Sequence, residues 1–251
     1  MRKNIRHSLL LIAALGLSTQ ANADQVSVAV ASNFTAPMRQ IAQAFEHDTG
    51  HKAILSFGAT GQFYAQIRSG APFAVLLAAD SETPAKLEKE GLGVAGSRFT
   101  YATGRLVLWS KRPNFVDDKG AVLMTAQFAK IAIANPKLAP YGAAALQVMD
   151  RLNVSTGLAP KIVEASNIAQ AFQFVSSGNA ALGFVALAQV VEGGKIKDGS
   201  GWIVPSALHD PIKQDAVLLA NARTSVAALS FMQYLRSDKA REIILSYGYD
   251  L

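Results

Sequence analysis

Four short stretches of this sequence are rich in hydroxyl, amide or glycine residues, and each follows an apolar run. They are Ser32-Asn33-Phe34-Thr35, Gly58-Ala59-Thr60-Gly61, Ala139-Pro140-Tyr141-Gly142 and Ser166-Asn167-Ile168. Each reads as a turn from a strand into a helix, where the first backbone N–H groups lack partners within the helix and the macrodipole is positive. Any one of them, taken singly, reads as an ordinary N-cap. Their repetition carries the signal, because in open α/β sheets such turns gather at the carboxyl ends of the strands, where ligands bind. Four helix starts aimed at one point make an anion site. The turns hold no Arg, Asp or Glu, although Lys137 and Glu164 lie nearby. Neutral donors spare the desolvation of a buried cation, and the fixed dipoles compensate the charge of the ligand. Donors without an acceptor also disfavour a ligand that carries a proton. The ligand so inferred is a fully ionised tetrahedral oxyanion.

Other chemistry finds less support in the residues. Asp80 closes the apolar run Leu76-Leu77-Ala78-Ala79 and is the best candidate for acid-base work, with Glu164 second; the competing reading of Asp80 is a cap for the helix that follows. His47 and His51 stand at a metal-like interval, but Asp48, Thr49 and Gly50 between them read as a helix end in water. Gly91-Leu92-Gly93-Val94-Ala95-Gly96 matches the dinucleotide fingerprint by letter, yet it follows a helical stretch instead of a strand, and so reads as a helix C-cap and loop. Trp109 and Trp202 read as packing residues.

The elements that must position the turns follow from hydrophobic periodicity. Short apolar runs alternate with helical patterns: 26–31 then 38–45, 53–57 then 63–67, 74–79 then 84–89, and 131–134 then 143–152. Such repetition predicts parallel sheets flanked by helices, an α/β class. Residues 97–113 and 205–213 are the places where the chain would cross between two lobes, and 226–245 reads as a helical stretch that packs back on the first.

At the start, MRKNIRHSLLLIAALGLSTQANA has a basic head, an apolar centre from Leu9 to Leu17 and Ala21-Asn22-Ala23 before Asp24. It reads as a signal peptide cut after Ala23, its apolar run being shorter than the ~20 residues a bilayer needs. The chain has a formal net charge of +6. Arg2, Lys3 and Arg6 lie in the leader, so the remainder is only mildly basic and shows no stripe suited to nucleic acid. With no cysteine, thiolate chemistry and disulfides are excluded.

Five segments together resemble the periplasmic molybdate-binding proteins of ABC transporters: VSVAVASNFTAPMRQIAQAFEHDTGH, SFGATGQFYAQIRSGAPFAVLLAAD, IAIANPKLAPYGAAALQVMDRL, NIAQAFQFVSSGNAALGFVAL and YLRSDKAREIILSYGY. The resemblance implies a two-lobed periplasmic-binding-protein fold of type II, with the ligand in the cleft between lobe 1 (24–104 and 213–251) and lobe 2 (105–212). It also implies a monomeric, non-enzymatic carrier in the periplasm that needs no cofactor and binds molybdate or tungstate. Molybdenum would enter only as the oxyanion, and the partner would be the inner-membrane permease. Carried over by motif, Ser32, Asn33 and Thr60 would hold the ligand, with backbone N–H groups from Tyr141 and Ile168; Asn167 and Gly61 lie in the same turns. Many members carry a tyrosine just after the L-G-[IF]-V pattern, where this chain has Ala186 after Leu182-Gly183-Phe184-Val185, and the amide of Asn33 is the expected replacement for that donor. The alternatives are a carrier of sulfate or another oxyanion, an exported hydrolase or phosphatase using Asp80, and the effector lobe of a regulator.

Overall fold

The computed structural model describes residues 24–251. The expected leader, 1–23 with cleavage after Ala23, lies outside them. The chain opens with β1 (Gln25–Ala31), α1 (Thr35–Thr49), β2 (Lys52–Gly58), α2 (Thr60–Arg68), β3 (Val75–Leu77), α3 (Glu82–Lys89) and β4 (Phe99–Gly104). A second series follows: β5 (Leu106–Ser110), α4 (Val122–Thr125), β6 (Ile131–Ala134), α5 (Pro140–Arg151), α6 (Ser155–Leu158), β7 (Ile162–Ala165), α7 (Ile168–Ser176) and β8 (Leu182–Ala186). The hairpin β9 (Val191–Glu192) and β10 (Lys195–Ile196) leads to β11 (Ser200–Ile203), then β12 (Ile212–Leu218), α8 (Val226–Tyr234) and α9 (Asp238–Ser246).

Two five-stranded sheets result, ordered β2-β1-β3-β12-β4 and β11-β5-β8-β6-β7. The chain passes from the first to the second at Arg105, between β4 and β5, and returns after Leu208 into β12. β1 lies parallel to β2 and β3, and β6 parallel to β7 and β8. The strands next to the crossovers depart from the expected parallel pattern: β12 is antiparallel to β3 and β4, and β5 to β8 and β11. A parallel partner needs a crossover connection within its own sheet, and strands that arrive from the other sheet have none.

In β1, Val26, Val28 and Val30 enter one core while Ala29 enters another on the opposite face. Burial on both faces explains why the strand is apolar throughout. On the valine side, α1, α8 and α9 supply Met38, Ile41, Phe45, Phe231 and Ile244. The Phe45 ring meets Phe231 and Tyr234 edge to face at 5.3 and 5.4 Å. Full burial of such a ring contributes about 1.5–3 kcal/mol, so the C-terminal helices are part of this core and not an appendage. The stretch 226–245, periodic as one helix, is broken into α8 and α9 because Ser237 caps the second: its hydroxyl accepts from the Ala240 N–H at 3.3 Å. Beyond α9, Thr103 and Asp250 exchange backbone hydrogen bonds of 2.7 and 3.0 Å, which brings Tyr249 beneath the first turn.

Candidate functional site

The four turns do converge. A small chamber, about 10 Å³ in cavity volume, is lined by Ala31, Ser32 and Asn33 after β1, by Gly58, Ala59 and Thr60 after β2, and by Ala79 after β3. Across it stand Ala139, Pro140 and Tyr141 at the start of α5, and Ile168 at the start of α7. No Lys, Arg, His, Asp or Glu is among these lining residues. A helix N-terminus carries roughly half a positive charge, so four of them match a dianion without any cation.

Each turn meets the chamber in its own way. Ser32 and Asn33, both buried, form a short 3₁₀ turn whose Ser32 carbonyl accepts from the Thr35 hydroxyl at 2.8 Å. Thr60 is 2% exposed, and its Oγ1 accepts from the Ala79 N–H at 2.9 Å. A hydroxyl has one proton and two lone pairs. With Ala79 using the acceptor side, the Thr60 proton is left for the chamber. Pro140 occupies the first position of α5 and has no N–H, so Tyr141 presents the first free donor of that helix. Asn167 acts as the N-cap of α7: its Oδ1 accepts from the Gln170 N–H at 3.0 Å, and it does not line the chamber, whereas Ile168 does. The Gly61 N–H is likewise occupied, donating to the Leu138 carbonyl at 2.9 Å.

The Asn33 side chain departs from expectation. Its Nδ2 donates to Gln214 Oε1 at 2.8 Å and to the Tyr249 hydroxyl at 3.0 Å, which uses both of its protons. In this structure the amide anchors the first turn to β12 and the C-terminus. Gln214 Oε1 also accepts from Tyr101 at 3.0 Å, its Nε2 donates to Tyr141 Oη at 3.3 Å, and Tyr249 donates to the Asn33 carbonyl at 2.8 Å. Burial pushes the phenols of Tyr101, Tyr141 and Tyr249 up, so all three stay neutral. No buried side-chain N or O among the described residues lacks a partner. Gln214, Tyr101 and Tyr249 escaped the sequence reading; the one hint was the polar run Lys213-Gln214-Asp215 inside β12.

Ala186 is fully buried at the end of β8 and does not line the chamber. Gln189, three residues on, takes up a supporting part: its Oε1 accepts from the Ala186 N–H at 2.9 Å and its Nε2 donates to the Ile168 carbonyl at 3.2 Å. That bond steadies the start of α7, whose N–H groups point the other way.

The remaining candidates lie outside the chamber. Asp80 accepts from the N–H and hydroxyl of Thr83 at 2.8 and 3.1 Å, and so caps α3. Burial pushes its carboxyl up despite the hydrogen bonds from Thr83, and it faces an outer groove shared with Lys137, Asp210 and Lys213. Glu164 is exposed on β7. His47 bonds to Asp48 at 2.8 Å, and among the described residues no cluster of His, Asp or Glu could hold a metal ion. Gly91 has φ +74° just past α3, as a helix C-cap requires. The Trp109 indole stacks on Phe172 at 5.2 Å, and Trp202 is buried.

Comparison with known proteins identifies the family of the chain. Residues 26–250 match the family model described as bacterial extracellular solute-binding protein. The chain is 58% identical over 244 residues to the molybdate-binding protein ModA of Azotobacter vinelandii, covering 96% of this chain and 97% of that one. It is 51% identical over 239 residues to ModA of Rhodobacter capsulatus, covering 95% and 93%. A solved structure of an Azotobacter vinelandii periplasmic molybdate-binding protein superposes with a TM-score of 0.86 at 43% identity, covering 90% of this chain and 99% of that one.

Proposed function

The chain belongs to the bacterial extracellular solute-binding proteins, beside their molybdate-binding members, and on that premise we propose that it carries molybdate, and tungstate as well, to an ABC importer. As a solute-binding protein it breaks no bonds, and Asp80 has a capping role instead of a catalytic one. The observation that supports the reading best is the uncharged chamber where four helix starts meet. The donors are the hydroxyls of Ser32 and Thr60 and the backbone N–H groups of Asn33, Tyr141 and Ile168, with Asn167 and Gly61 supporting their turns. The protein acts as a monomer, exported to the periplasm by the leader, and its lobes, 24–104 with 213–251 and 105–212, close on the ligand by bending at the two crossovers.

Sulfate has the same charge, so discrimination against it rests on the size of the chamber. Thermal unfolding of residues 24–251 with molybdate, tungstate, sulfate or phosphate, at equal ionic strength, tests the reading. A ligand at ~100 times its dissociation constant adds about 2.7 kcal/mol. Molybdate and tungstate are expected to raise the midpoint and sulfate and phosphate to leave it unchanged; a rise with sulfate alone makes the protein a sulfate carrier.

The chamber should also be indifferent to pH. Its hydroxyls and amides do not titrate, and Tyr141, the only ionisable residue in its wall, is held in the neutral form by burial. Calorimetric affinity for molybdate is therefore expected to stay flat from about pH 6 to pH 9, a range no unperturbed hydroxyl or amide titrates in. A steep change within that range means that a charged group takes part.

A further inference from the structure

Residues 138–141 touch the opposite lobe at two points on either side of the chamber. On one side, the Leu138 carbonyl accepts the Gly61 N–H at 2.9 Å. On the other, the Tyr141 side chain, 1% exposed, runs toward the crossover, where Gln214 Nε2 donates to its hydroxyl at 3.3 Å. A glycine stands opposite each contact. A Cβ on Gly61 would lie 3.1 Å from Leu138 Cα, and one on Gly104 would lie 2.1 Å from Tyr141 Oη and 2.7 Å from Gln214 Nε2. Neither glycine has a positive φ, so the backbone does not require glycine there; space requires it at Gly104, while at Gly61 a Cβ would need Leu138 to give by a few tenths of an ångström.

The same four residues are fixed within their own lobe. The Leu138 and Ala139 N–H groups donate to the Asn135 carbonyl at 3.1 and 2.9 Å, and the Asn135 N–H donates to Ala165, which precedes the Ser166-Asn167-Ile168 turn, at 2.7 Å. The segment thus moves with both ligand-facing turns of its lobe.

We infer that residues 138–141 are the latch of the closed form, with Tyr141 as its positioning residue. The Tyr141 phenol, seated against Gly104 and Gln214, sets the place of its own backbone N–H at the chamber, and Gly61 and Gly104 are the two seats. This rests on the oxyanion reading of the chamber. Ligand release is then governed by a hydroxyl that the ligand never touches.

The test follows the dissociation rate of molybdate by stopped-flow fluorescence and the radius of gyration by X-ray scattering, with and without molybdate. Tyr141→Phe keeps the ring and the N–H and loses one hydrogen bond, so release is expected to quicken about three- to tenfold with little change in association rate. Gly104→Ala is expected to leave the protein folded but unable to contract on adding molybdate. Adding Tyr141→Phe to it removes the nearest of the atoms that the new Cβ strikes, leaving Gln214 Nε2 at 2.7 Å and the ring Cζ at 2.9 Å, and should restore part of the contraction, a rescue that a merely damaged fold would not show. If the wild type contracts and Gly104→Ala contracts equally, or if Tyr141→Phe releases at the wild-type rate, the latch is overturned. If the wild type does not bind molybdate, the ligand reading falls. The latch is then judged on the unliganded proteins: a radius of gyration for Gly104→Ala above that of the wild type supports it, and an equal one overturns it.

Discussion

Thr60→Val is expected to weaken molybdate binding by roughly tenfold to a hundredfold, from the loss of one hydrogen bond to a charged group, about 1.5–3 kcal/mol. Valine keeps the shape of threonine and removes both functions of its oxygen. The proton aimed at the chamber disappears, and the Ala79 N–H, which donates to Oγ1 at 2.9 Å, loses its acceptor. The second loss loosens the end of β3 as well, so the thermal midpoint without ligand should also fall. Thr60→Ser retains the oxygen and should bind within a few-fold of the wild type. Titration calorimetry on the three proteins checks this; a valine variant with the wild-type dissociation constant would remove Thr60 from the site.

Arg98→Met is expected to cost about 3 kcal/mol of folding stability without entering the chamber, as when one partner of a buried ion pair is removed. The Asp215 carboxylate is wholly buried in β12, held by Arg98 Nη1 at 2.6 Å and by the Thr100 hydroxyl at 2.7 Å. Removing the guanidinium leaves that charge with Thr100 alone. The Arg98 side chain is itself 38% exposed, so water can approach the vacated place, which puts the cost at the lower end of the range for buried pairs. For a chain of this size the midpoint should drop by roughly 6–12 °C. Combining Arg98→Met with Asp215→Leu removes both charges and should recover most of the loss, since an apolar pair often replaces a buried ion pair without penalty. Failure of the double variant to recover would mean that Arg98 acts through its packing, or through Glu88, 3.6 Å from its Nε.

The site was legible in the sequence where its logic is local. A strand, a turn of small polar residues and a helix start are consecutive along the chain, so each of the four turns could be recognised separately and their convergence followed from the rule for open α/β sheets. Tyr141 and Ile168, which the resemblance implied as backbone donors, both stand in the wall of the chamber. What escaped was set by distant partners. Asn33 and Tyr249 are 216 residues apart, and Tyr101 and Gln214 are 113 apart, so nothing near any of them announces a shared network. The part of the Asn33 amide in that network was missed for that reason. The reversed strands β5 and β12 were missed on similar grounds, because direction is decided by which sheet the chain has just left, and an apolar run looks the same either way.

The chamber without a counter-ion has a consequence at long range. Residues 24–251 hold three more cationic than acidic groups, and a captured dianion is neutralised by dipoles, which carry no net charge. On the proposed reading, loading with a dianion would therefore lower the overall charge of the molecule by about two units. A filled carrier and an empty one differ electrically as well as in shape. A membrane partner can sense that difference across roughly one screening length, about 8 Å at physiological ionic strength, before the surfaces touch.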